Sequence, residues 1–323
     1  MEIYLIGLAV ALVGGLLMSR LTRLLHLPAV TAYLVAGLLL GPFFLGRLNV
    51  PGLGFNTLDE VNVLSIVSQT ALGFIAFAMG NEFRLSQLRT IGSRAIIIGI
   101  LQAVITTIVV DVVLLLLHLF FPHIISVPCA ITLGAIAAAS APAATLMVVR
   151  QYKADGPMTR LLMLVVALDD AVGLLLFSVS FGIATALSNG QVSVLAVVVE
   201  PIVEILLSVG LGGFMGLLLH WVERFFHSRS KRMSLSVAFV MLTVGLSMLE
   251  FQLGPVHCGF SLLLVCMMTG TIFCNVCPTS EELMERVDGW TMPLNILFFV
   301  ISGAELDLNV LSQPVTLIVG IIY

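Results

Sequence analysis

The chain has 323 residues, of which 59% are hydrophobic and 10% charged, against about 45–50% and about 25% in soluble domains. That composition excludes a water-soluble globular enzyme and identifies a polytopic membrane protein. The formal net charge of −4 is divided between two aqueous faces and a membrane interior, so it gives no reason to expect a nucleic-acid partner.

A spanning helix needs about 20 consecutive apolar residues. The sequence offers ten complete windows, at about 3–19, 28–45, 61–80, 95–121, 127–149, 161–187, 192–222, 233–252, 256–276 and 290–304, and an eleventh opens near Gln313. Met1-Glu2 puts no basic segment ahead of the first window, which therefore reads as a retained span and not a signal peptide. The connections after windows one, three, five, seven and nine carry Arg20 and Arg23; Arg84, Arg89 and Arg94; Arg150, Lys153 and Arg160; Arg224, Arg229, Lys231 and Arg232; and Arg286. Of the 14 basic residues only Arg47 lies in the alternate set. By the positive-inside rule this alternation predicts an external N-terminus and supports the helix count.

Windows two and seven contain Gly37-x-x-x-Gly41 and Gly212-x-x-x-Gly216, spacings that let helices approach closely, within one chain or across a dimer contact. Five cysteines occur, at 129, 258, 266, 274 and 277. The Cys274-Asn-Val-Cys277 spacing has the form of a metal or redox pair, but no second pair accompanies it and no His lies near it in sequence. We read these cysteines as small apolar residues kept reduced at the cytoplasmic end of their helix.

Window five departs from a plain span. Its middle reads Ala137-Ala138-Ala139-Ser140-Ala141-Pro142-Ala143-Ala144-Thr145. Pro142 removes one helical hydrogen bond and turns Ala141 away from helical geometry, so the helix is expected to unwind or kink. Freed backbone groups at membrane depth are tolerated where they are buried in protein or line a watery cavity. Small side chains around Pro142 would let another segment cross close by.

Window six carries Asp169-Asp170 in the middle of the run from Leu161 to Leu187. A carboxylate at the centre of a spanning helix costs roughly 2.5–3.5 kcal/mol on insertion scales, which makes the pair a functional hypothesis. Adjacent residues on a helix point about 100° apart, so one aspartate is free to face a cavity while the other meets a neighbouring helix. A cavity-facing carboxylate is suited to exchanging a proton for a hard cation. Its neighbour needs a cationic or hydrogen-bonding partner, and no complete window holds an interior Lys or Arg. Asp111, Glu200, Glu204 and Glu250 also fall in or near apolar windows; the three glutamates read as interfacial, and Asp111 as facing an outer funnel. His118, His123 and His257 fall on the outer side as interfacial histidines.

The segments Ala139-Ser140-Ala141-Pro142-Ala143-Ala144-Thr145, Gly156-Pro157-Met158-Thr159-Arg160 with Arg150, and Val166-Ala167-Leu168-Asp169-Asp170-Ala171 together resemble the core of the monovalent cation:proton antiporter superfamily, in its bacterial sodium/proton and potassium-efflux branch. Phe77 to Phe83 and Phe298 to Leu306 resemble two further signatures of that family. The resemblance covers essentially the whole chain. It implies an all-α, inverted-repeat antiporter fold with discontinuous helices, one transmembrane domain over 1–323 with core elements at about 61–187 and panel elements at about 1–45 and 192–276, and a homodimer. It implies exchange of protons for Na+, or Li+, across the cytoplasmic (inner) membrane, with no cofactor. It further implies that Asp170 carries the cation, as a transient metal ligand, or the proton, and that Asp169 is held by a basic residue on the eleventh helix. Ala139, Ser140, Ala141, Pro142 and Thr145 would form the broken-helix crossing.

The sequence ends inside the eleventh window, before any such basic residue, and on the family pattern we expect a C-terminally incomplete domain. Two other readings of the Asp-Asp pair are open. Ligand-gated K+ efflux is disfavoured by the Asp-Asp pair, because potassium-efflux relatives carry Gln-Asp there. An intramembrane aspartyl protease needs its two carboxylates on facing helices, whereas neighbours on one helix diverge.

Overall fold

The computed structural model describes residues 2–24, 27–48, 50, 54–189, 200–249, 251–253, 256–309, 317 and 319–321. Among them the chain forms, in order, α1 (Glu2–Leu24), α2 (Ala29–Leu40), α3 (Leu58–Val63), α4 (Ser65–Met79), α5 (Leu85–Phe120), α6 (Val127–Ile136), α7 (Pro142–Gln151), α8 (Pro157–Asn189), α9 (Glu200–Glu223), α10 (Arg229–Ser247), α11 (Leu262–Val276) and α12 (Ser280–Ala304). The eleventh window is mostly outside the described residues.

Among the described residues, five segments are both long and apolar enough to cross a bilayer: Tyr4–Thr22, Ala29–Leu48, Ser93–Phe120, Ile202–Glu223 and Ser280–Ala304. The remaining windows fail that simple count for local reasons. The fifth is split into two ten-residue helices, α6 and α7, and the third is shortened to the 15 residues of α4 by the turn after α3. Through the sixth window α8 runs unbroken for 33 residues, the aspartates included. The eighth and ninth windows are also corrected at their facing ends. Residues 251–253 and 256–258 form a short antiparallel hairpin, β1 (Phe251–Leu253) and β2 (Val256–Cys258), with Phe251 opposite Cys258. In sequence they are separated by Gly254-Pro255, and Pro is disfavoured inside a helix.

Local chemistry sets several helix starts. Thr57 accepts from the Glu60 amide at 3.2 Å while the Glu60 carboxylate accepts from the Asn56 amide at 2.8 Å, a variant of the capping box. Ser126 caps α6 and Ser261 caps α11. Pro128 and Pro142 occupy first-turn positions of α6 and α7, where a missing N–H costs nothing.

At the centre of one half of the molecule is α4, whose second half is apolar on all sides and buried from Phe74 to Met79, as expected of a helix surrounded by others. Its Ile75, Ala78 and Met79 join Tyr33, Phe299 and Ile301 in one core with α1, α2 and α12. Its Phe74 and Phe77 join Leu219, Val240 and Phe273 in a second core with α9, α10 and α11. Glycines let these helices touch backbone to backbone. A Cβ at Gly37 would overlap the Val300 carbonyl, and one at Gly303 the Leu34 carbonyl, locking α2 to α12. Likewise Gly212 and Gly216 face the Val265 and Thr269 carbonyls of α11. Gly37 and both glycines of window seven therefore serve contacts within this chain. Where α4 ends, Asn275 of α11 accepts from the Leu85 amide at 2.8 Å and donates to the Phe83 carbonyl at 2.9 Å.

A second group is formed by α5, α6 and α8, which pack mutually. Ala95, Ala103 and Leu114 of α5 are turned inward. Its Ile97, Leu101, Ile105, Val109 and Val112 are exposed on the outer surface. A continuous exposed apolar face on a helix of 36 residues is the surface a bilayer covers.

Candidate functional site: a broken helix against a buried carboxylate

The path of the chain between α6 and α7 is unwound. Ala137 and Ala138 turn, with the Ala138 and Ala139 amides bonded three residues back to Ala135 and Ile136 at 3.2 Å each. Residues 139–141 have no regular structure. Ala141 sits at φ −93° and ψ 87°, the extended-side geometry that a following proline favours, and Pro142 opens α7. Thr145 closes the new helix, its amide and hydroxyl both donating to the Ala141 carbonyl at 3.1 Å.

Alongside this break runs α8. Gly173 is the point of closest approach: a Cβ there would meet the Ala139 Cβ at 3.4 Å, ordinary contact. One turn earlier, Asp169 is completely buried, at 0% exposure. Its Oδ2 accepts from Ser140 Oγ at 3.1 Å and from Gln102 Nε2 of α5 at 3.0 Å. Oδ1 is buried and has no hydrogen-bond partner among the described residues. The unwound segment, α8 and α5 thus converge on one carboxylate, with two neutral donors on one oxygen and the other unengaged. A buried carboxylate oxygen left without a donor is costly, and a proton or a hard cation would relieve that cost.

Beside the break is a cavity of about 250 Å³ lined by Ala135, Ile136, Ala139, Gly173, Phe177 and residues of α11. A second cavity, about 380 Å³, opens where α7 meets α12 and includes Tyr33, Arg150, Asp288 and Asn295. There Arg150 Nη2 pairs with Asp288 Oδ2 at 2.7 Å, tying the end of the broken helix to α12.

Of the residues singled out from sequence, Asp169 and Ser140 are in direct contact, and Ala139 packs against α8 at Gly173. Ala141 and Thr145 shape the restart of the helix, and Pro142 begins it. Asp170 follows Asp169 in α8, and its side chain lies outside the described residues, as does that of Glu82. Asp111 packs on α6 at Gly134, where a Cβ would overlap its Oδ1, and that oxygen is buried without a partner. Glu204 is partly buried, the side chains of Glu200, Glu250 and His257 lie outside the described residues, and His118 contacts the Ile125 carbonyl through Nδ1 at 2.7 Å. Gln102 went unnoticed in the sequence. Its signal was a single amide in an otherwise apolar stretch of α5, and nothing local tied it to α8.

The sequence model of the family described as sodium/hydrogen exchanger, transmembrane, matches residues 8–323. Among curated proteins, K(+) efflux antiporter 5 of Arabidopsis thaliana is 31% identical over 94 residues, a match covering 29% of this chain and 14% of that protein. Among solved structures, the sodium proton antiporter MjNhaP1 of Methanocaldococcus jannaschii at pH 8 aligns with a TM-score of 0.63 and 20% identity, covering 95% of this chain and 71% of the other. An electron-microscopy map of the same antiporter gives a TM-score of 0.70 at 19% identity, covering 93% and 69%. At these identities the structural likeness is one of fold.

Proposed function

Because the chain belongs to the sodium/hydrogen exchanger transmembrane family, we propose that it exchanges protons for a monovalent cation, Na+ in the first place, by alternating access around the Asp169-Asp170 pair. The observation that carries this reading is the buried Asp169 carboxylate bonded to Ser140 of the unwound segment. A discontinuous helix at membrane depth beside an ionisable group is how secondary transporters build ion sites. Membership of a transporter family also displaces the aspartyl-protease reading.

Asp170 is the carrier in this proposal and Asp169 its neighbour of fixed orientation. Proton and cation compete for one carboxylate, so loading either displaces the other, and no cofactor takes part. Ser140 and Gln102 hold Asp169 in place, and the interruption at residues 139–141 supplies carbonyl oxygens for a desolvated cation. The core elements at about 61–187 move against panel elements at about 1–45 and 192–276, which also form a homodimer contact. The N-terminus is external and the membrane is the cytoplasmic one, following the loop charges.

Cation-induced proton release from inverted vesicles tests the assignment. Asp170→Asn is expected to abolish it and Asp169→Asn to reduce it; undiminished exchange in Asp170→Asn contradicts the proposal. Potassium is the second reading, favoured by the likeness to the plant K(+) efflux antiporter. Competition between Na+ and K+ for the same proton-coupled flux decides between the two cations.

A further inference from the structure

A separate cluster lies at the far end of α9. His220, Glu223 and Cys277 bring ligand-type atoms within 4.8 Å of one another, with exposures of 9%, 3% and 4%. Two of them come from the last turn of α9 and the third from the residue after α11. We propose that these three side chains form a binding site for a thiophilic divalent cation of the Zn2+ class, independent of the exchange reaction.

The donor set is the first argument. A thiolate, an imidazole and a carboxylate select Zn2+ over Mg2+ or Ca2+, which prefer all-oxygen sites. Three protein ligands leave a fourth position for water or the nearby Thr279 hydroxyl.

The second argument is how the groups are held. Cys277 Sγ donates to Glu223 Oε2 at 2.8 Å. As the donor in that bond, the metal-free thiol carries its proton. Metal loading forms the metal–sulfur bond and sends the thiol proton to solvent, which frees both Sγ and Oε2 for the ion. Meanwhile Glu223 Oε1 accepts from Thr279 Oγ1 at 3.0 Å and faces Arg232 Nη1 at 3.4 Å. These are outer partners of the kind that orient a ligating carboxylate.

The third argument is the imidazole. Its Nδ1 is buried with no hydrogen-bond partner among the described residues, while Nε2 lies 2.8 Å from Arg224 Nη2. Arginine only donates, so in the metal-free state Nε2 is the acceptor and Nδ1 carries the proton. A neutral imidazole has one lone pair. Arg224, whose side chain reaches solvent, therefore competes with the metal for His220.

The test is metal binding by the reduced, tag-free, full-length protein in detergent, read by Zn2+ titration and by the thiolate-to-metal absorption of bound Co2+. One tightly bound equivalent is expected, with a thiolate band that disappears in Cys277→Ser and a Zn2+-dependent rise in thermal stability. Affinity is expected to fall at least about tenfold in His220→Gln and to rise in Arg224→Gln, whose fold is not in question because it removes a surface group. No stoichiometric binding overturns the proposal, as does binding unchanged in Cys277→Ser and His220→Gln, or equal or weaker binding in Arg224→Gln. None of these readouts depends on transport, so failure of the ion-exchange reading leaves this result standing.

Discussion

The two halves of the molecule use small residues in opposite ways. Around α4, glycines remove every atom between neighbouring backbones, as at Gly37 against Val300 and Gly270 against Phe77. Around the helix break, Gly173 and Gly99 leave room instead, a Cβ there meeting nothing nearer than 3.4 or 3.5 Å, while Gly134 is closed by the Asp111 side chain and not by backbone. The first half is locked by main-chain contact, and the second keeps space around the helix break.

The largest expected effect breaks the locked half. Gly37→Ala forces the α2–α12 pair apart and should cost on the order of 3 kcal/mol, seen as loss of monodisperse protein or a large drop in Tm. Gly99→Ala, the matched change in the roomy half, should leave Tm unchanged or slightly raised. Equal damage from both would erase the distinction.

Next comes Ser140→Ala. It removes one of two described donors to a buried carboxylate, a loss of about 1–3 kcal/mol for a charge-assisted bond, and thermal unfolding in detergent measures it. A smaller effect follows at the α7–α12 junction. The Arg150–Asp288 pair is partly solvent-exposed, at 35% and 30%, so Arg150→Gln should cost no more than about 1 kcal/mol. The smallest is a gain: Gly245→Ala meets nothing within 4 Å and should stabilise α10 by up to about 1 kcal/mol through helix propensity. Cysteine reactivity sharpens the picture, since Cys129 is exposed whereas Cys266, Cys274 and Cys277 are buried. A maleimide followed by mass spectrometry should label Cys129 well ahead of those three.

Much of this fold was legible in the sequence because its signals are local. Apolar run lengths mark the spans, and Pro142 within a run of alanines marks the break, since proline acts on the residue before it and the turn behind it. The β1–β2 hairpin was hidden, although Gly254-Pro255 separated the two windows, because residues 251–253 and 256–258 are apolar enough to pass for helix ends. Gly37 announced close packing but not against which helix, since the partner Val300 is remote in sequence. The site was legible in part for the same reason. The aspartates and the break lie one short loop apart, whereas Gln102 reaches Asp169 across 67 positions. Cys277 read as an ordinary apolar residue because His220 and Glu223 come to it from another helix, 54 or more positions away.

The most direct measurement is cation-induced proton movement in proteoliposomes containing the Asp170→Asn protein, beside wild type and Asp169→Asn reconstituted at equal density. The account predicts wild-type exchange, reduced exchange in Asp169→Asn and none in Asp170→Asn. Exchange at the wild-type rate in Asp170→Asn would contradict it, and would move the ion site away from the aspartate pair.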